Sequence, residues 1–387
     1  MNNNQPLFCE FGTSQLIKHG EELCGDSIVY QSKDNYATMI LSDGLGSGVK
    51  ANILATLTTK IISVMLDKGS SIYDVVDTLS ETLPICSVRK LAYSTFSIGQ
   101  FFRNGKLHLV EYDNPPAIFI RNKKVQKIYY NVETIKDKKI KEAELEIQNG
   151  DWLIFISDGE VHAGIGGVWN LGWSWERITR FIETRVNDKM SAQELANELT
   201  EVANRLYNGQ PGDDTSAAVV KIRYKRFATV MIGAPKNKED DCKVVEKLMK
   251  SQGKKIVCGG TTGNIVAREL GEKIEVDLRT IEGDVPPIGY MKGIDLCTEG
   301  IFTISKVFKM LKEGKSIKDV RYNIDGASKL LYELLHADEI NFIIGQAMNP
   351  AHQNPNMPPE FELKKQITED IAAILQSKGK KVNLEYY

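Results

Sequence analysis

Four short segments, each joining aspartate to glycine beside an apolar run, constrain this chain more than any other feature. They are Gly25-Asp26-Ser27, Ser42-Asp43-Gly44, Ser157-Asp158-Gly159 and Gly212-Asp213-Asp214. Asp43 follows ATMILS, Asp158 follows WLIFIS, and Asp213 and Asp214 precede TSAAVV. Short apolar runs bounded by turn residues read as buried strands, so the carboxylates stand at strand ends. Any one Asp-Gly pair is more often a turn than a site. Four in the same relation to apolar strands make coincidence less attractive. If the strands are neighbours in a sheet, the four carboxylates converge.

Gathered carboxylates repel one another strongly in a partly buried place, and a divalent cation removes that cost. Hard oxygen ligands suit Mg²⁺ or Mn²⁺. The adjoining glycines let the backbone turn sharply and expose its carbonyls and amides. Two such cations acidify a bridging water and neutralise phosphate oxygens for in-line attack. No cysteine, serine or histidine nucleophile is evident in these motifs.

The organisation of the chain agrees with two domains, as its 387 residues favour. Asp26–Tyr30 and Tyr36–Leu41 read as a hairpin turned by SKDN. After the glycine-rich Gly44–Gly48, apolar residues at helical spacing (Ile53, Leu54, Leu57, Ile61, Ile62, Met65) predict an amphipathic helix over 49–66, and a second helix follows over 72–83. Strands are expected at 94–102, 106–112, 117–121, 151–157 and 215–222, with a helix at 192–207. The basic stretches RNKK and KDKKIKE read as a solvated edge or hairpin tip. Many antiparallel strands with helices outside them predict an α+β fold, a sheet sandwich, over residues 1–223. From 224 to 387 strands and helices alternate, which predicts a three-layer α/β domain.

A net charge of −2 gives no basic field for nucleic acid or an anionic membrane. The start MNNNQPLFCEFG lacks the basic and apolar parts of a signal peptide, and no run of about 18 apolar residues is visible, so no membrane span is expected. Six scattered cysteines without a Cys-x-x-Cys read as reduced thiols in a cytoplasmic protein, and zinc is not expected.

The ordered set GDS, LSDGLGSGVKA, YSTFSIGQF, DNPPAIFI, FISDGE and PGDDTSAAVVKI, from Gly25 to Ile222, resembles the metal-dependent 2C-type (PPM) Ser/Thr protein phosphatases. It is most similar to their stage II sporulation protein E (SpoIIE) branch. The resemblance implies two antiparallel sheets flanked by helices, two bound Mn²⁺ or Mg²⁺ ions, and hydrolysis of phosphoserine or phosphothreonine. It implies that Asp43 bridges the two metals, with Gly44 offering a carbonyl and Asp26 a further ligand on one side. Asp158 and Asp213 hold the other metal, and Asp214 has a weaker, outer role. Asp43 and Asp158 are thus the expected catalytic pair. The helix beginning near Val49 corresponds to an element that shifts in this branch and completes the metal site. Serine at 47 stands where the branch often has histidine, and no counterpart of the phosphate-binding arginine of eukaryotic relatives is evident. The implied substrate is a phosphorylated signalling protein of anti-anti-sigma type. A phosphatase of small metabolites and a catalytically weak binding module are the rivals.

Beyond residue 224 no family is recognised. Cys258-Gly259-Gly260-Thr261-Thr262-Gly263-Asn264 lies between an expected strand and an expected helix. Such a turn exposes amides at a helix start, which favours an anion. It equally makes a tight turn capped by Thr261 or Thr262. A pocket for a phosphate- or carboxylate-bearing small ligand and a purely structural turn therefore both stay open. Glu299 before a second helix start, and His352 in the proline-rich loop 346–359, read more readily as solvated residues than as ligands.

Overall fold

A computed structural model describes residues 5–33, 35–82, 94–136, 138–167, 169–281, 286–347 and 360–387, without the side chains of 360–362. Asp34 of the SKDN turn, Cys86, His352 and most of the loop 346–359 lie outside the described residues. The chain divides into two compact units, Met1–Tyr224 and Lys225–Tyr387.

In the first unit the chain runs β1 (Leu7–Leu16), β2 (Asp26–Ser32), β3 (Tyr36–Asp43), α1 (Gly48–Asp67) and α2 (Ile72–Thr82). It continues β4 (Phe96–Phe102), β5 (Lys106–Tyr112), β6 (Ile118–Arg121), β7 (Lys124–Gln126), β8 (Asn131–Ile135), β9 (Lys138–Glu146) and β10 (Trp152–Ile156). The elements α3 (Asp158–His162), α4 (Trp175–Arg185), α5 (Ala192–Leu206) and β11 (Thr215–Tyr224) complete it. One antiparallel sheet has the order β1-β11-β10-β6-β7, and the other β2-β3-β4-β5-β9-β8. Their facing sides share a core that includes Met39, Phe101 and Leu109 from one sheet and Leu153, Phe155 and Val220 from the other. Helices α4 and α5 cover the outer side of the first sheet, and α1 and α2 that of the second. The expected sandwich of two antiparallel sheets flanked by helices is therefore the observed one. All five residues of β10 are buried, as its unbroken apolar run demands.

Two local readings need correction. First, the buried side of α1 consists of Gly48, Ala51, Ala55, Thr58, Thr59, Ile62 and Ser63, whereas Ile53 and Leu57 are 50% and 46% exposed. Small residues let the helix lie close to β2 and β3, and that approach outweighs burial of the larger side chains. Second, α1 is long and apolar enough to cross a bilayer by length and composition, contrary to the expectation from the sequence. In the folded unit it packs on β2 and β3. The two basic stretches lie at hairpin turns, in keeping with the sequence reading. Asn122 and Lys123 turn β6 into β7 with φ of 52° and 62°, the handedness that tight hairpins need. KDKKIKE begins at the turn from β8 into β9, where Ile135 pairs with Lys138 and Lys136 has a φ of 45°, and its Ile140 is buried against the helix side of the sheet.

Arg121 holds Asp151 by two hydrogen bonds, Nε to Oδ1 at 2.9 Å and Nη2 to Oδ2 at 2.6 Å. Asp151 is buried and also accepts the Gln148 amide at 2.8 Å. Asp151→Ala is expected to cost about 2 kcal/mol in a urea melt, below the usual penalty for a broken buried pair because Arg121 keeps some water. An unchanged midpoint would show that the pair contributes nothing.

The second unit runs β12 (Phe227–Ile232), α6 (Asp241–Lys250), β13 (Lys254–Cys258), α7 (Gly260–Leu270), β14 (Glu275–Asp277), β15 (Ile288–Met291) and β16 (Ile294–Thr298). Then follow α8 (Ile301–Lys312), α9 (Ile317–Val320), α10 (Gly326–His336), β17 (Glu339–Ile344), α11 (Glu360–Ser377) and β18 (Lys381–Tyr386). Its sheet has the order β14-β15-β16-β13-β12-β17-β18, parallel from β16 to β18. One face packs on α8, α10 and α11, the other on α6 and α7, which gives the expected three layers.

Candidate active site

Four strand ends set the site. Asp26 opens β2 and Asp43 closes β3, and the two residues are direct partners in the antiparallel register. Asp158 follows β10, and Asp213 and Asp214 precede β11, whose strands pair Ile156 with Ala217. Antiparallel pairing places the end of one strand beside the start of the next, so each sheet delivers its acids at one edge. The two edges meet. Asp26, Asp158 and Asp213 all raise the pKa of Asp43, and Asp213 raises that of Asp158.

Two glycines make this approach possible. A β-carbon on Gly44 would lie 2.1 Å from the Ala51 carbonyl oxygen of α1, and one on Gly159 would lie 2.1 Å from that of Asp214. Either would be a steric collision with backbone, so the Asp-Gly pairs reflect packing as well as turning.

Burial, then mutual repulsion, holds the carboxyls of Asp43 and Asp158 above the ordinary aspartate range, and burial does the same for Asp26. Asp26 is 4% exposed and neither of its oxygens has a hydrogen-bond partner. The Ser216 and Ser157 hydroxyls lie alongside and pull its pKa down, without reaching bonding geometry. One oxygen of Asp214 is likewise buried without a partner, while the other accepts the Lys18 amide at 3.1 Å. Unpartnered, mutually repelling, all-oxygen donors fit hard divalent cations. Among the described residues, however, no three acid, histidine or cysteine side chains stand close enough to hold one ion as placed.

The loop at Asp43 is latched from behind. Its carbonyl accepts the Thr95 amide and the Ser94 hydroxyl, each at 2.9 Å. Ser94 also meets Ser42 Oγ, and the Thr95 hydroxyl donates to Asn114 Oδ1, both at 2.5 Å. Asn114 Nδ2 donates to Ser97 Oγ at 3.1 Å. YSTFSIGQF and DNPP thus contribute a hydrogen-bonded brace. The sequence marked both segments without showing what their hydroxyls and amide do.

Two further residues escaped the sequence reading. Lys18 places Nζ 3.7 Å from Asp213 Oδ1 and lowers the pKa of Asp158, so a cation stands at the edge of the acidic cluster. Nothing in its surroundings, QLIKHG, signals this, because β1 carries it there. Glu160 is fully buried with both oxygens unpartnered, and burial raises its pKa to about 8. Its signal was a glutamate directly after the SDG motif.

In the second unit Gly259 is the N-cap of α7 at φ 115°, and Thr262 and Gly263 are buried in its first turn. Gly260 and Thr261 are exposed, with Asn264 beside them. Neither threonine side chain caps the helix. Gly259 donates to the Thr298 carbonyl at 2.9 Å, which brings Gly300, the cap of α8, alongside. Glu299 leaves one buried oxygen without a partner. Doubly wound sheets bind ligands where strand order reverses, here between β12 and β17. That crevice is occupied by backbone, since Gly345 donates to Ile232 and Ala347 to Ala234.

The family model of stage II sporulation protein E (SpoIIE) matches residues 33–223. The first unit is a SpoIIE-family domain. The curated stage II sporulation protein E of Bacillus subtilis (strain 168) is 25% identical over 231 residues, covering 58% of this chain. The match takes in 27% of that relative, so the chain spans about a quarter of its length. Two solved structures from Bacillus subtilis are similar to the chain, each 21% identical over 57% of it. The SpoIIE phosphatase domain crystallised without domain swapping is covered to 95%, with a TM-score of 0.45. The PP2C phosphatase domain with a fragment of the regulatory domain is covered to 65%, at 0.48. The SpoIIE match ends at the close of β11, and the second unit lies beyond it.

Proposed function

We propose that the SpoIIE-family unit hydrolyses phosphoserine or phosphothreonine on a signalling protein, using water activated by divalent metal. The observation that carries this reading is the meeting of Asp26, Asp43, Asp158 and Asp213 from four separate segments. Asp43 and Asp26 would serve one ion, with the Gly44 carbonyl, and Asp158 and Asp213 the other. When bound, Mn²⁺ or Mg²⁺ supplies an acidified water and neutralises phosphate charge. The Ser94–Thr95–Asn114 brace fixes the Asp43 backbone, and Lys18 offers a positive charge to an incoming phosphate.

Mn²⁺-dependent turnover of p-nitrophenyl phosphate and of a phosphoserine peptide is the expected result, abolished by a chelator and by Asp158→Asn. Turnover that survives chelation overturns the metal reading. Lys18→Ala is expected to raise KM for the peptide about fivefold while kcat changes little, because a charge that grips the phosphate equally throughout acts on binding. A fall in kcat alone would assign Lys18 another role.

One observation favours a second reading, a phosphatase fold kept as a binding module: no three ligands are placed for a single ion among the described residues. Calorimetric titration with Mn²⁺ separates the two, since a binding module takes up no metal at the carboxylates.

A further inference from the structure

A cavity of about 300 Å³ lies between the turn joining α1 to α2 and the outer face of the second sheet, away from the acidic cluster. An apolar cavity of about half that size holds benzene, so the space suits one ring with a short chain. Leu66 and Ile72 supply apolar walls from the helices, and Ile98 and Val110 from the sheet. The opposite end is polar. His108 Nε2 meets Glu142 Oε1 at 2.5 Å, and Gln100 stands beside the ring. Thr38, in the same cross-strand row as Gln100 and His108, is 5% exposed and its hydroxyl has no partner.

Chemistry limits the occupant. The cavity lining includes one carboxylate, that of Glu142, and no lysine or arginine. Glu142 thus brings a carboxylate to that end that no lysine or arginine of the lining offsets. An organic cation is therefore favoured over an anion, and the apolar walls ask for a hydrocarbon body. We propose that this cavity binds a small organic amine, ammonium toward Glu142 and apolar part between helices and sheet. The site touches the last turn of α1, whose first turn follows directly on the Asp43–Gly44 loop. An occupant that bridges helix and sheet fixes the seat of α1. The effect on turnover rests on the phosphatase reading, whereas the binding does not.

Isothermal titration of the full chain with phenethylamine tests this, with phenylacetate and 2-phenylethanol as the anionic and neutral counterparts. Saturable one-to-one binding of the amine is expected, at least about tenfold tighter than either counterpart. Glu142→Gln should weaken it about tenfold, and Ser70→Phe, which adds a ring to the cavity lining, should abolish it. Circular dichroism confirms that both variants fold. No saturable binding, equal binding of the three compounds, or indifference to both substitutions overturns the proposal. Turnover of p-nitrophenyl phosphate should change at least about twofold on saturation in the parent and not in Ser70→Phe. If binding holds and turnover is unaltered, the link through α1 is wrong. If the protein turns nothing over, the phosphatase reading fails while the amine site stands.

Discussion

Asp43→Asn is expected to lower p-nitrophenyl phosphate turnover at least about a thousandfold while making the metal-free protein more stable at pH 8. Asp43 is buried against Asp26, and Asp158 and Asp213 add to the repulsion. Asparagine keeps the shape and cannot ionise. The folded-state pKa of Asp43 is raised, so at pH 8 the unfolded chain ionises it more readily than the folded one. That difference opposes folding above the ordinary aspartate pKa and vanishes below it. The substitution should raise the melting temperature at pH 8 in the presence of a chelator by several degrees, equivalent to about 2 kcal/mol, and leave it unchanged near pH 3. Mn²⁺ should stabilise the parent and have little effect on the variant. A variant that keeps its turnover removes Asp43 from the chemistry, and one that is destabilised at pH 8 denies the repulsion.

Glu160→Gln tests a different burden, a carboxyl sealed in apolar surroundings. Its pKa rises from 4.5 to about 8 by burial alone. Between those values the folded protein holds a proton that the unfolded chain has lost, so stability falls as pH rises through that window and levels off above it. Glutamine carries no such charge. The variant and the parent should melt together near pH 4, and the variant should melt higher by about 5 °C at pH 8.5. A gap that stays constant with pH would mean that Glu160 finds a partner or water in solution.

How much was legible depended on what each feature required. The acids at strand ends could be found because a strand is a local pattern and an aspartate beside it needs no partner to be noticed. The same holds for β10, with its unbroken apolar run, and for the alternating second unit. Lys18 was invisible, because its role comes from β1 pairing with β11, residues some two hundred positions apart. The exposed face of α1 was misread for the same reason. Periodicity identifies which residues share a side of a helix, but the close seat against Gly44 decides which side turns inward.

The sequence by itself determined the family of the first unit, the positions of its strands and the acids that border them, because those depend on residue type and near-neighbour spacing. Only the tertiary structure decided that both sheets present their acids at one edge, and that a brace of hydroxyls lies behind Asp43. It likewise placed a lysine at the rim and a glutamate beneath the site without a partner. Strand pairing and sheet stacking join distant segments, and the electrostatic consequences of that meeting exist only once water has been excluded from between them.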